Sequence, residues 1–406
     1  MRIGVLTSSY PRYPGDHAGV FVRSLTEHLR KLGHEPVILA PYEPAVLPDV
    51  TQPHLEHFRY LPVPSWHQLG YGLALDNDRR LRRRAYALIP CYLAGAAAAL
   101  VRLARRVRLD ILHCHWAIPN GPVAALVSAL THIPLVITLH GSDVYVAERL
   151  APAGVLARLA LRRAAAITAC SADLAQGAVR LGAAPERVVT LPWGVDLGLF
   201  GAGDGAGWRR RHAIPRAAPV VLAAGRLVEK KGIEHLLRAA PRVLARYPET
   251  VFTVIGEGPL LEPLQELART LGLAPAVRFA GRVPWEEMPD ALHAADLFAA
   301  PSVRDRDGNL DGLPTVILEA MGAGLPVVAS NLAGIPLVVG HGENGLLVPP
   351  GNTEALANAL IQVIGNRELR AEMGRSSRQR VEEGLTWTAV AGRFIDLFEA
   401  AQKGKP

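Results

Sequence analysis

Short apolar runs alternate along this chain with longer stretches whose apolar residues recur at helical spacing, and the whole alternation occurs twice. In the first series Arg2–Thr7, Val37–Ala40, Ile111–His113, Leu135–Leu139, Ala166–Ala169 and Val188–Leu191 read as buried strands. Val20–Leu32, Val123–Leu130, Ala153–Ala165 and a segment after Cys170-Ser171 read as the helices between them. In the second series the strands are Val220–Ala224, Val251–Ile255, Val277–Ala280, Leu297–Ala300, Val327–Ala329 and Gly345–Val348. Its helices are Gly232–Arg246, Leu260–Gly272, Met288–Ala294, Thr315–Ala323 and Thr353–Ile364. Strand–helix alternation of this kind predicts parallel sheets covered by helices on both faces, an α/β class.

The pattern predicts two doubly wound, Rossmann-like domains, residues 1–200 and 201–384, facing across a cleft. Gly201–Ala218, rich in glycine and without periodicity, reads as the linker. The amphipathic segment Trp387–Ala401 is expected to be a helix, within residues 385–403, that packs back on the first domain. Residues 42–84 are rich in proline and arginine and carry no assignable period.

Composition agrees with this picture and adds an asymmetry. A chain of 406 residues, 50% hydrophobic and 20% charged, is long enough for two cores and is not of the disordered class. Its net charge is +7, and residues 1–200 carry all of it, with 21 Lys/Arg against 14 Asp/Glu; residues 201–406 have 23 of each. A basic half predicts an anionic partner, either a membrane surface or a phosphate-bearing acceptor. Nucleic acid is excluded as a partner by the 6% aromatic content and the lack of a recognition motif. Met1–Leu6 reads as a strand rather than a leader. Ala85–Val101 is apolar, flanked by Arg79–Arg84 and Arg105–Arg106, and interrupted by Pro90. At 17 alanine-rich residues it reads as a buried helix, with peripheral membrane contact as the alternative to crossing. Cys91, Cys114 and Cys170 are odd in number and widely spaced, so they read as reduced thiols of a cytoplasmic protein. His113-Cys114-His115 has metal-ligand residue types, but no second cluster completes four ligands, and strand-end packing is the simpler reading.

The chemistry concentrates at Pro301–Ser330. A polar loop turns at Gly312–Pro314 into the helical run from Thr315, whose unpaired N–H groups attract anions. Asp311 and Glu319 stand eight residues apart, and Glu319 is the one charge in an apolar helix. A capping Asp311 and an internally paired Glu319 are the alternative to a ligand site. Gly225-Arg226-Leu227-Val228-Glu229-Lys230-Lys231-Gly232 follows the first strand of the second series and sets Arg226 and Lys231 where a diphosphate would fit. Gly256-Glu257-Gly258-Pro259 lacks the third glycine of a dinucleotide fingerprint, and no Walker A sequence occurs. In the first series the Ser8–Gly19 loop lies at a strand's carboxyl end, where ligands of such sheets bind.

Together these motifs resemble the retaining GT-B glycosyltransferases of family 4. The resemblance rests on Gly225–Gly232, Asp311-Gly312-Leu313-Pro314 with Glu319-Ala320-Met321, and Gly324-Leu325-Pro326-Val327-Val328. It extends to Pro11-Arg12 with Gly15 and Gly19, Gly33-His34, His140-Gly141-Ser142-Asp143, and Gly194-Val195-Asp196 with Phe200. It covers nearly all of the chain outside 42–84, where acceptor-specific segments would lie.

The resemblance implies that Arg226 and Lys231 grip the donor diphosphate. Glu319, second acid of the family's E-x7-E pattern, would take the ribose hydroxyls, and Asp311 holds the first acid's place beside the sugar. Gly225, Gly312, Leu313, Pro314 and Thr315 would line the sugar and β-phosphate, Arg282 and Val283 would frame the base, and Gly19 would approach the phosphates. His140 would contact the donor sugar or shuttle charge. The chain departs from many relatives in having Asp rather than Glu at 311, one methylene shorter. The resemblance implies no metal and no cofactor beyond the nucleoside-diphosphate sugar; Asp305 and Asp307 read as a solvated loop rather than a metal site. The expected activity is sugar transfer to a glycan, lipid-linked or exopolysaccharide acceptor with retention, by a cytoplasmic enzyme either free or associated with a membrane surface. A nucleotide-sugar epimerase and a catalytically silent sugar-nucleotide binder are the alternatives.

Overall fold

The structure is a computed structural model that describes residues 1–16, 18–46, 54–71, 83–306 and 308–404. Asp307 and much of 42–84 thus lie outside the described residues. The chain divides into two compact units, residues 1–191 with 387–406, and residues 192–386.

The first unit runs β1 (Arg2–Leu6), α1 (Val20–Lys31), β2 (Glu35–Pro41), β3 (Leu55–Phe58), α2 (Arg83–Tyr86), α3 (Ile89–Val107) and β4 (Ile111–His115). It continues with α4 (Asn120–Thr131), β5 (Leu135–Leu139), α5 (Ser142–Arg149), α6 (Ala151–Arg163), β6 (Ala166–Ala169), α7 (Ala172–Arg180) and β7 (Val188–Thr190). The strands form one parallel sheet in the order β3-β2-β1-β4-β5-β6-β7. The central strands β4, β5 and β6 are buried throughout, which is why they read as unbroken apolar runs. Helices α3, α4 and α6 lie side by side on one face, while α1 and the C-terminal helix Trp387–Gln402 pack together. Phe394 and Phe398 of that helix meet the His113 ring in β4.

The order of the strands reverses between β1 and β4, the position at which open α/β sheets hold ligands. The loops after β1, β4 and β5 therefore bound the first unit's candidate site.

In the second unit the elements are α8 (Leu197–Phe200), α9 (Gly205–Arg211), β8 (Val220–Ala224), α10 (Ile233–Arg246), β9 (Val251–Ile255), α11 (Leu261–Thr270), β10 (Val277–Gly281), α12 (Met288–Ala294) and β11 (Leu297–Ala300). Then come α13 (Thr315–Gly322), β12 (Val327–Ser330), α14 (Ile335–Val338), β13 (Gly345–Val348), α15 (Thr353–Gly365) and α16 (Arg367–Gly384). The parallel sheet has the order β10-β9-β8-β11-β12-β13. Its switch point falls between β8 and β11, so the loops Gly225–Gly232 and Pro301–Pro314 flank one position.

Three expectations need correction. Pro90 does not interrupt its helix: it occupies the first turn of α3, where the missing N–H costs nothing. Gly201–Ala218 is not a free linker, because it contains α9. Asp204 caps that helix by accepting from the Gly207 N–H (2.7 Å), and Trp208 is buried. Gly205 is needed there because a Cβ would strike the His293 backbone. Finally, α5 and α16 have no counterpart in the sequence reading. The long helix α16 buries only Met373, Gly374, Ser377 and Val381, so its apolar period is nearly invisible.

Candidate functional site

In the second unit, Gly225 opens the loop after β8 with a φ of 145°, and the Gly225 N–H donates to the Ile255 carbonyl (3.0 Å). Glycine is required at 256 as well, because a Cβ there would strike the Gly225 carbonyl. The loop continues into a 3₁₀ turn over Glu229–Lys231 that ends at Gly232 in the left-handed region (φ 65°). A Cβ on Gly232 would strike the Pro301 carbonyl, so the β8 and β11 loops touch there through backbone. The Val303 N–H donates to the Lys230 carbonyl (2.9 Å), a second tie between the two loops.

These ties bring cations and acid together. The Asp311 carboxylate lies 2.6 Å from Lys231 Nζ and 2.9 Å from Lys230 Nζ. Its side chain is 17% exposed. Burial works to raise its pKa, but Lys231 and Lys230 together hold the carboxyl well below the usual carboxylate range. Glu319, one helix turn inside α13, is half-buried. Burial pushes its carboxyl up to about 7, against the opposing pull of a hydrogen bond from the Trp285 side chain and the charge of Lys231. Lys231 therefore acts on both acids. Pro314 cannot cap α13 with its side chain, so the helix presents an uncapped N-terminus at Thr315. Gly312 is buried and its carbonyl accepts from the Gly334 N–H (2.7 Å), while Leu313 and Pro314 are buried beside it. Arg226 is exposed at the end of β8. Arg282 is exposed past the end of β10, and Val283 is buried next to it. This set offers four cations, an uncapped helix end and a protonatable carboxyl, which suits a diphosphate beside a hydroxyl-bearing group.

Two members of this set were not singled out from the sequence. The Glu229-Lys230-Lys231 run does not by itself distinguish Lys230 from its neighbour; only the 3₁₀ turn shows that both lysines meet one carboxylate. Trp285 gives no signal, since it reaches Glu319 from a different loop.

In the first unit His140 follows β5 and Gly19 precedes α1. Gly19 is left-handed (φ 67°), and a Cβ there would strike the Ser9 carbonyl, so its backbone closes the Ser8–Gly19 loop on itself. Arg12 and Asp16 brace that loop as an ion pair at 2.7 Å. His140 stacks on Trp116 with ring centroids 4.1 Å apart and hydrogen-bonds His115 Nδ1 through Nε2 (3.1 Å). Burial pushes its pKa down to about 3, with His113 adding to the shift, so the ring is neutral. Asp143 fixes the turn: its carboxylate accepts from the N–H groups of His140 (3.2 Å), Gly141 (2.9 Å) and Ala117 (2.7 Å). The His113-Cys114-His115 run is packed into β4. His113 Nε2 meets Thr138 Oγ1 (2.7 Å), His115 meets His140, and burial raises the Cys114 thiol. Among the described residues no cluster of three or more His, Cys, Asp or Glu side chains could hold a metal ion.

Residues 18–199 match the sequence model of Glycosyltransferase Family 4, and residues 206–380 match that of Glycosyl transferases group 1. A Bacillus subtilis protein named for a glycosyltransferase of teichuronic acid biosynthesis, TuaC, is 30% identical over 371 residues, which is 89% of this chain and 88% of that protein. Glycogen synthase of Mycobacterium tuberculosis is 27% identical over 419 aligned positions, covering 100% of this chain and 96% of its own. Among solved structures, Anabaena HepE in complex with UDP superposes with a TM-score of 0.77 at 22% identity, covering 98% of this chain and 100% of its own.

Proposed function

The chain belongs to glycosyltransferase family 4 and has the GT-B fold, and from that premise we propose that it transfers a hexose, with retention, from a nucleoside-diphosphate sugar to a hydroxyl of a glycan, lipid-linked or exopolysaccharide precursor. The observation that carries this reading is the meeting of Lys230, Lys231 and Asp311 at the β8/β11 switch point, with Glu319 one helix turn away. The UDP held by HepE and the teichuronic acid pathway in TuaC's name support the donor and acceptor classes respectively.

Arg226 and Lys231 hold the diphosphate and offset the charge that develops on the leaving phosphate as the glycosidic bond breaks. The N–H groups of Leu313 and Thr315 bind the β-phosphate and sugar, and Glu319 accepts from the ribose hydroxyls once it is ionised. Arg282 and Val283 frame the base. His140 is neutral, so it hydrogen-bonds the donor sugar rather than carrying a charge to it. In this reading no side chain serves as a covalent nucleophile: the leaving phosphate takes the acceptor's proton as the new bond forms on the face it leaves. The cations already supply the positive charge, so the reading requires no metal.

A thermal-shift panel of UDP-, GDP- and ADP-sugars identifies the base, since a ligand of the folded state raises its apparent stability. With that donor, Glu319→Ala is expected to keep its fold and lose turnover by about two orders of magnitude or more. Normal turnover by the folded variant overturns the donor site. Conversion of donor to an epimer without acceptor would instead identify an epimerase.

A further inference from the structure

The helix layer α3, α4 and α6 covers one face of the first unit's sheet, and its outer side is unusually apolar. Leu130 is 66% exposed, Val155 and Leu159 60% each, and Leu126 53%, with Leu156 beside them at 38%. Leu126 and Leu130 are one turn apart on α4, and Val155 and Leu159 one turn apart on α6, so each pair forms a stripe. The two helices pack closely: a Cβ on Gly121 of α4 would come within 2.9 Å of the Ala160 methyl of α6. Arg163 Nη2 also donates to the Ser128 carbonyl across the pair (3.0 Å). Scattered exposed leucines are ordinary, but five apolar side chains on two adjoining helices make a patch.

The charges carried by these three helices have one sign. Helices α3, α4 and α6 contain no Asp or Glu, and carry Arg102, Arg105 and Arg106 on α3 and Arg158, Arg162 and Arg163 on α6. Of the neighbouring acids, Glu148 on α5 is taken up by Arg180 at 2.8 Å and Glu56 of β3 by Arg106, which leaves Arg158 and Arg162 of α6 exposed beside the leucines. An apolar stripe bordered by the α6 arginines, with Glu148 and Glu56 already paired, is complementary to an anionic bilayer, where leucines enter the headgroup boundary and arginines meet lipid phosphates. A second copy of this chain is a poor occupant, because the same face on both partners would set arginines against arginines. Among the described residues no helix is long and apolar enough to cross a membrane, so this surface would lie on a bilayer rather than span it.

We infer that the outer face of α4 and α6 docks this enzyme on an anionic membrane surface. Sequence offers peripheral membrane contact at Ala85–Val101 as the alternative to a buried helix; the exposed leucines point instead to α4 and α6. The inference does not depend on the donor or on the transfer chemistry.

The test is flotation of the full chain with vesicles of phosphatidylcholine containing 30 mol% phosphatidylglycerol, about the charge of a strongly anionic leaflet, against pure phosphatidylcholine. The protein is expected to float with the anionic vesicles and not with the neutral ones. Leu130→Ser with Leu159→Ser, and separately Arg158→Gln with Arg162→Gln, are each expected to cut partition by about tenfold or more, since one arginine near such a surface accounts for about fivefold. All four positions are exposed, so unchanged thermal melting is expected and serves as the fold control; the arginine pair still tests the idea should the serine pair fold poorly. Failure of the wild-type chain to float, or flotation of both folded variants at the wild-type level, overturns the inference. So does a concentration-dependent dimer that the serine pair dissociates while vesicles remain unbound.

Discussion

Asp311 Oδ2 sits 2.6 Å from Lys231 Nζ, so the acid proposed to face the donor sugar and the cation proposed to hold the diphosphate are partners before any ligand arrives. Lys230 closes on the other oxygen at 2.9 Å. Two ammonium groups on adjacent residues repel, and the carboxylate between them offsets that repulsion in a mostly buried position. This also bears on the shorter side chain: a glutamate at 311 would push one methylene further into the space the lysines now occupy.

Asp311→Asn is therefore expected to do two things. It leaves two close cations without a counter-charge, which should lower stability by about 1–2 kcal/mol after allowance for partial exposure, measured by urea denaturation. It should also weaken donor turnover more than it weakens folding. Because the folded-state pKa of Asp311 is depressed, its stabilisation is present above the unfolded carboxyl value and disappears as pH falls through the folded value. The gap in stability between wild type and Asn should accordingly shrink toward acid pH. A gap that stays constant down to the acid transition is incompatible with the pairing.

Glu319 has the opposite displacement, and the sign of its pH effect is opposite too. Its pKa of about 7 lies above the unfolded value, so its stabilising contribution is full below about 4.5 and is lost as pH rises through 7. Ribose hydroxyls need the ionised form as acceptor. Donor affinity should rise about tenfold between pH 6 and 8 as the carboxyl deprotonates, read by calorimetry with the diphosphate that the thermal-shift panel selects. Glu319→Gln should flatten that slope while leaving the fold intact. A slope that persists in Gln would assign the titration to another group.

How much of this was legible in the sequence depends on where the signal sits. The buried parallel strands were readable because both faces are covered, and β8, β9 and β11 emerge within a residue of the apolar runs. Helix α16 was not, because its surface is charged almost all round, and α9 was not, because its Gly205 serves close backbone approach to His293 and its Gly207 sits against the capping Asp204 rather than giving flexibility. At the site, Arg226, Lys231, Asp311 and Glu319 could be named from strand-end position and spacing. Lys230 and Trp285 could not, since their roles depend on a 3₁₀ turn and on a contact between loops far apart in sequence. Spacing identifies residues on one element; it is silent on which side chain crosses from another.

His140 is assigned a contact to the donor sugar, and its surroundings restrict how it can act. Stacked on Trp116 and bonded to His115, it is held neutral by burial, with a pKa of about 3. The pH profile of kcat should then show no ionisation from this ring between pH 5 and 9. His140→Ala should reduce kcat by about 10²-fold, the loss typical of a positioned hydrogen-bonding group. Ring NMR of the folded enzyme that showed His140 titrating near 6.5 would reject the neutral assignment and restore charge transfer as its role.

Asp143 makes a stricter test of the same turn, because its carboxylate is taken up by backbone donors and nothing of the ligand is assigned to it. Its carboxylate takes the N–H groups of His140, Gly141 and Ala117, bridging the loops after β5 and β4. Asp143→Ala leaves those buried donors unpaired, at about 1–3 kcal/mol for the most costly of them, and should lower stability by at least that amount. Asp143→Asn keeps an acceptor oxygen but offers an N–H₂ to groups that are themselves donors, so it should recover only part of the loss. If Asp143 acts by seating His140, both variants should depress kcat while the affinity for donor diphosphate, governed by the second unit, stays within about twofold of wild type. A fall in diphosphate affinity that parallels the fall in kcat would mean that Asp143 supports the donor directly, and the positioning role would have to be given up.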